Sequence, residues 1–242
     1  MRLPWPKLSH LAEFTVPPGL PWPAGCIPLA VRKISSPIDV AALVPPDALP
    51  AMFRRSAPVR QYEFVLGRIV AATSLRNLGV CEKDCWIGTD HRRPVWPQGF
   101  VGSIAHTHTL LLVTVGLQSE TLVSIGVDIE CVSTSQELLS SLNICFSSSE
   151  HRLLSAVEHG LLIGFSAKES LFKCLSEEAG KYFDFLDAEV ISINPKTNLL
   201  ELQLLVTLSS RLPHLSIFKC FYNFSTEHVW TFTAWTTDYR VT

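Results

Sequence analysis

The 242-residue chain has no apolar run near the roughly 18 residues of a membrane helix. The run at residues 110–113 has the length of a strand. The opening Met1-Arg2-Leu3-Pro4-Trp5-Pro6-Lys7 lacks the continuous apolar stretch of a secretory signal, so none is expected. An excess of one charge is also missing: the net charge of −2 leaves no basic stripe for nucleic acid. Charged residues make up 17% and hydrophobic ones 47%, which excludes a disordered polyelectrolyte and leaves ample material for a core. The chain has no Gly/Ser-rich linker, no internal repeat and no Walker-type glycine loop. Its seven cysteines are an odd number without a signal, and they read as free thiols of a reducing cytoplasm.

At about 150 residues per domain, the length allows one large domain or two small ones. Between Arg54 and Arg93 eight Lys/Arg stand against four Asp/Glu; between Glu120 and Glu189 four stand against twelve. Cations for phosphates in front and carboxylates for a metal behind would explain that split, as would two unrelated solvated faces. Eleven of the sixteen prolines fall in the first 50 residues and deny them long helices. One strand is predicted at residues 27–34. A helix is predicted over 59–78, where Tyr62, Val65, Leu66, Ile69, Val70 and Leu75 follow its period and Gly79 caps it. Arg60 and Arg68, about 80° apart on that helix, are expected to look out from one half of its surface. Residues 103–116 and 121–131 read as adjacent strands, 148–178 as a second helical zone, and 199–208, 215–224 and 228–235 as strands. The order points to an α/β (α+β) protein of two halves of similar build.

Three clusters carry chemistry. In Gly126-Val127-Asp128-Ile129-Glu130 the period of two sends Ile125, Val127 and Ile129 into the core and Asp128 and Glu130 the other way. Paired hard oxygens suit Mg2+, and a solvent-facing acidic strand is the bland alternative. In Phe165-Ser166-Ala167-Lys168-Glu169-Ser170-Leu171-Phe172-Lys173, Glu169 and Lys173 share a helix face with Lys168 adjacent. They form either a surface ion pair or a carboxylate at a metal beside a cation for phosphate. In Gly102-Ser103-Ile104-Ala105-His106-Thr107-His108 the two histidines alternate onto one face. No standard zinc spacing includes them, which leaves His106 as a phosphate donor or a satisfied core histidine.

Taken together and in this order, G-S-I-A-H-T, G-V-D-I-E and F-S-A-K-E-S-L-F-K resemble the motifs of the 4′-phosphopantetheinyl transferases. The upstream R-x-x-E-F-x-x-G-R from Arg60 to Arg68 and R-R-P-x-W-P from Arg92 to Pro97 resemble the branch typified by the enzymes that activate enterobactin and surfactin synthetases. The resemblance implies two pseudo-symmetric halves, about 1–120 and 121–242, with the active site in the cleft between them. It implies a cytoplasmic monomer that moves the 4′-phosphopantetheine arm of coenzyme A onto a serine of an apo acyl or peptidyl carrier protein, releasing adenosine 3′,5′-bisphosphate. Asp128, Glu130 and Glu169 would hold Mg2+; His106 and Lys173, with Lys168 alongside, would meet phosphates; Arg93 would lie against the nucleotide. Arg54, Arg55 and Arg60 are looser candidates for the 3′-phosphate, and Glu169, directly or through water, would be the base. Ala105 and Phe165 depart from the family's usual hydroxyl residue and Trp. The competing readings are a non-catalytic coenzyme A or carrier-binding module and another Mg-dependent enzyme of nucleotide phosphates.

Overall fold

A computed structural model describes residues 13–16, 20–33, 49–90, 93–134 and 142–237; Arg92 of the R-R-P-x-W-P motif lies outside them. Contacts divide the chain into two compact units. Gly25–Leu117 belong to the first, and Gln118–Thr242 to the second, which also takes residues 20–24. In the second unit Trp22 packs its ring 4.5 Å from that of Phe232.

Among the described residues, the first unit is an antiparallel sheet with one long helix, beside a short hairpin. Its elements are β1 (Glu13–Phe14), β2 (Ile27–Arg32), α1 (Ala51–Arg54), α2 (Pro58–Asn77), the β3–β4 hairpin (Gly88–Asp90, Arg93–Val95), β5 (Phe100–His106) and β6 (Leu110–Leu117). The main sheet runs β1-β2-β6-β5. Pro58 opens α2 at a position where its missing N–H costs nothing, and Gly79, at φ +87°, turns the chain after it. The helix lays Val65, Leu66, Ile69, Val70 and Leu75 on Leu111, Val113 and Val115 of β6. Each such side chain contributes about 1.5–3 kcal/mol on full burial.

Two expectations fail here. Residues 103–116 form two strands, not one, because the Thr107 hydroxyl accepts from the N–H groups of Thr109 and Leu110 and ties a tight turn. That turn places His108 in the open, away from His106 on β5. The strands at 103–116 and 121–131 do not pair either: the former belong to the sheet just described, and residues 122–131 to a second sheet.

The second unit contains β7 (Leu122–Cys131), α3 (Ser148–Leu154), α4 (Gly160–Ala179), β8 (Ala188–Asn194), β9 (Leu199–Leu204), β10 (Ile217–Phe224) and β11 (His228–Thr236). Its antiparallel sheet runs β7-β11-β10-β9-β8. Leu162, Ile163, Ala167, Leu171 and Leu175 of α4 cover Leu200, Leu202, Cys220 and Tyr222 of that sheet. The single helical zone expected over 148–178 breaks at His159, whose φ of 55° no helix continues. The chain turns tightly there: a Cβ on Gly160 would lie 2.0 Å from the Leu154 carbonyl oxygen. Strand β8 escaped the sequence reading.

One glycine sets how closely α4 approaches β7. A Cβ added at Gly126 would stand 1.9 Å from the Ser170 carbonyl oxygen, a backbone atom that cannot swing aside. Overpacking of this kind costs about 1–3 kcal/mol or more. Gly126→Ala is therefore expected to lower the urea midpoint by at least the equivalent of about 2 kcal/mol with an unchanged slope. A midpoint equal to wild type would show that the helix can shift freely.

Candidate active site

The face of β7 that carries Asp128 and Glu130 does not look away from the core, as its alternation predicts. It looks at α4, and Asp128 is only 5% exposed. Antiparallel register puts Thr231 of β11 beside Asp128. Ser166 donates its hydroxyl to Asp128 Oδ2 at 2.8 Å, and Thr231 donates to the Ser166 carbonyl at 2.9 Å. Ser170 Oγ lies 2.6 Å from Thr231 Oγ1. These three hydroxyl residues are fully buried, and sequence reasoning passed over them. Their signal was there: two serines spaced i, i+4 on one helix face, matched by Gly126 on the strand they approach.

Asp128 Oδ1 accepts from Lys173 Nζ at 2.6 Å. The Glu169–Lys173 pair expected from their spacing therefore gives way to a Lys173–Asp128 pair across two elements. Burial, reinforced by the Asp128 and Glu169 charges against relief from Lys173, pushes the Glu130 carboxyl up to about 8. Burial likewise raises Glu169; Lys173 opposes that shift and Asp128 adds to it. Three carboxylates thus share a poorly hydrated face with one ammonium. Among the described residues, no three His, Cys, Asp or Glu side chains already meet at ligand distance. The donor set nevertheless fits a hard divalent cation: all oxygen, mutually repelling, and short of positive charge.

Beside Glu169 opens a pocket walled by Phe172, Tyr182, Phe183 and Phe185 with Lys168, Asp184 and Ala188 at its sides. Phe165 stacks on Phe185 at 5.3 Å, and Phe172 meets Phe183 at 5.1 Å, so α4 and the segment after it build the walls jointly. Phe at 165 keeps the aromatic body at that position. Such walls suit an uncharged, flexible chain rather than a phosphate.

Lys168, expected among the phosphate-contacting cations, is placed otherwise. It is 3% exposed, and its ammonium lies 2.7 Å from Glu150, itself 1% exposed. The same nitrogen donates to the carbonyls of Cys145 and Phe185, both at 2.8 Å. Glu150 in turn accepts from the Ser147 and Val190 N–H groups. With its donors spent on the protein, Lys168 clamps α3, α4 and the segments around Cys145 and Phe185. Lys168→Ala leaves Glu150 buried and unpaired, which costs about 3–5 kcal/mol. A large drop in Tm is therefore expected, whereas lost coenzyme A affinity at unchanged Tm would return Lys168 to the phosphate.

The other basic candidates lie in the first unit. His106, at the end of β5, has its Nε2 2.9 Å from an Arg60 guanidinium nitrogen and its Nδ1 3.5 Å from Glu63. Lys33 Nζ lies 2.6 Å from the same carboxylate. Arg54 Nε donates to the Leu49 carbonyl, Arg55 is exposed, and Arg93 pairs with Asp90 at 2.7 Å. Arg68, expected to look outward, is buried instead. It donates to Thr89 and to the Gly88 carbonyl and lies over the Phe64 ring at 4.3 Å, so it holds the β3–β4 hairpin. Burial lowers its guanidinium to about 10.

Residues 49–116 match the model of the 4′-phosphopantetheinyl transferase N-terminal domain, and residues 124–241 that of the 4′-phosphopantetheinyl transferase superfamily. Enterobactin synthase component D of Salmonella typhi is 34% identical over 148 residues, 58% of this chain and 58% of that protein. The Salmonella typhimurium protein of the same name is 36% identical over 131 residues, 51% of this chain and 52% of its own. The chain thus matches between half and three fifths of the length of these curated relatives. The 4′-phosphopantetheinyl transferase Svp of Streptomyces mobaraensis is 29% identical over 178 residues, 71% of this chain and 70% of that protein. One matched segment contains Arg60 and His106, the other the carboxylates of β7 and α4, and on both grounds the chain belongs to the 4′-phosphopantetheinyl transferase superfamily.

Proposed function

We propose that this protein transfers the 4′-phosphopantetheine arm of coenzyme A to a serine of an apo carrier protein, Mg-dependently, and releases adenosine 3′,5′-bisphosphate. The observation that carries the reading is the buried carboxylate face of β7 and α4 with Lys173 set against Asp128. Asp128, Glu130 and Glu169 would hold Mg2+, which when bound neutralises pyrophosphate charge. Lys173 presents an ammonium at the edge of the same face, positioned to stabilise the departing bisphosphate. The serine oxygen bonds to the phosphorus that bears the pantetheine, the bond from that phosphorus to the nucleotide-side oxygen breaks, and Glu169 takes the serine proton. Glu169 borders both the carboxylates and the aromatic pocket, so the pocket would take the pantetheine chain. In this reading the first unit contributes Arg60, His106, Arg93, Arg54 and Arg55 to phosphates and nucleotide. The seven free thiols accord with a cytoplasmic enzyme, proposed to act as a monomer.

Incubation with coenzyme A, Mg2+ and an apo acyl or peptidyl carrier, followed by the carrier's intact mass, tests this. A gain of one phosphopantetheine is expected. Bisphosphate without that gain would make the protein a hydrolase, and no turnover a binding module. Dephospho-coenzyme A should bind about ten- to hundredfold more weakly, since one charge-assisted hydrogen bond is worth about 1.5–3 kcal/mol. Equal affinities by calorimetry would remove Arg54, Arg55 and Arg60 from the 3′-phosphate.

A further inference from the structure

We propose that Glu63 is a positioning residue for the phosphate-binding pair Arg60 and His106, a role that rests on the reading above. Glu63 lies one turn into α2, and its side chain is 13% exposed. Three basic side chains from three elements converge on it. Lys33, just past β2 and 5% exposed, lies at 2.6 Å, Arg60 on α2 at 3.4 Å, and His106 at the end of β5 at 3.5 Å. Burial alone would push the Glu63 carboxyl up; Lys33, by its hydrogen bond and its charge, and Arg60 act against burial, and the carboxyl is held low. One carboxylate therefore separates two cations that would otherwise repel, faces the imidazole beside them, and leaves a surplus of positive charge for an anion.

The geometry also fixes a tautomer. A guanidinium has donors and no acceptor, so the 2.9 Å contact from Arg60 requires an unprotonated Nε2 on His106. The proton of the neutral ring is then on Nδ1, which faces Glu63. Arg60 is half exposed and can turn from Nε2 to an arriving phosphate. Nε2 then takes up a proton and becomes a donor to the phosphate, and Glu63 stabilises the imidazolium from its other side.

The test uses the whole chain and two readouts. In 15N–1H spectra without coenzyme A, with the ring neutral and the signal assigned by its loss in His106→Gln, wild type should carry the His106 proton on Nδ1. Glu63→Ala should release the ring to the Nε2–H form and raise the KM for coenzyme A about ten- to hundredfold, with a smaller change in kcat. Glu63→Gln keeps an acceptor for Nδ1–H and should restore the tautomer and much of the KM. A merely structural ion pair with Lys33 would show no such rescue, since neither variant pairs the ammonium. If Glu63→Ala does not fold, Lys33→Met combined with Glu63→Ala removes both partners and reads the same signals. An Nε2–H ring in wild type, or an alanine variant with tautomer and KM unchanged, overturns the role. Absence of transfer by wild type would sink the proposed function instead, and the spectra would still decide whether Glu63 governs His106.

Discussion

Asp128→Asn is expected to lower transfer by at least about a hundredfold while the protein stays folded. Asparagine keeps the size of the side chain and an oxygen that accepts from Ser166, so the buried hydroxyl chain survives. It loses the negative charge that holds Lys173 at 2.6 Å and that a divalent cation needs. Even an outer partner of a metal ligand costs about 10–100-fold when removed, and a ligand should cost more. Asp128→Ala is a poorer probe than the alternation of β7 predicts. At 5% exposure the aspartate fills a packed site, and its removal takes an acceptor from Ser166 Oγ and from Lys173 Nζ. A lost hydrogen bond to a charged group costs about 1.5–3 kcal/mol, which would mix stability with chemistry. Steady-state transfer with matched unfolding curves separates the two. Asparagine at this position with a rate within threefold of wild type would take Asp128 out of the mechanism.

The second large effect belongs to Glu169→Gln. The side chain keeps its volume against the aromatic pocket and loses charge and basicity. If Glu169 both binds the cation and takes the serine proton, turnover should fall by ~10²–10⁴-fold at every Mg2+ concentration. If it is a ligand alone, raising Mg2+ should recover much of the rate, because Asp128 and Glu130 remain. A bare i, i+4 surface pair, worth about 0.3–0.5 kcal/mol, no longer competes, since Lys173 bonds to Asp128 instead. The rate of this variant measured against Mg2+ decides between the two roles. Near-wild-type activity at low Mg2+ would sink both.

Local signals carried the sequence reading a long way, and distant partners limited it. The period of α2 and the alternation around Asp128 place both elements within a residue or two, because each burial pattern is contained in its own segment. What covers the Asp128 face depends on α4, forty residues on, and on Thr231 of β11. Neither can be read from a strand by itself. Lys168 and Arg68 misled for a related reason. A charge on a helix reads as solvated until a buried carboxylate or a ring from another element meets it. The break at His159 had no glycine or proline at the turning residue to announce it.

The buried hydroxyls have a consequence for how this protein tolerates change. Ser166 donates to Asp128, Thr231 donates to the Ser166 carbonyl, and Ser170 meets Thr231, all three of them fully buried. Replacing Ser170 or Thr231 takes a hydroxyl partner from the other, and replacing Ser166 takes a donor from Asp128, so substitutions at these positions do not add independently. Variation along this seam is therefore coupled: the three positions drift together or not at all, whereas the leucines of α4 a turn away can exchange for other apolar residues one at a time.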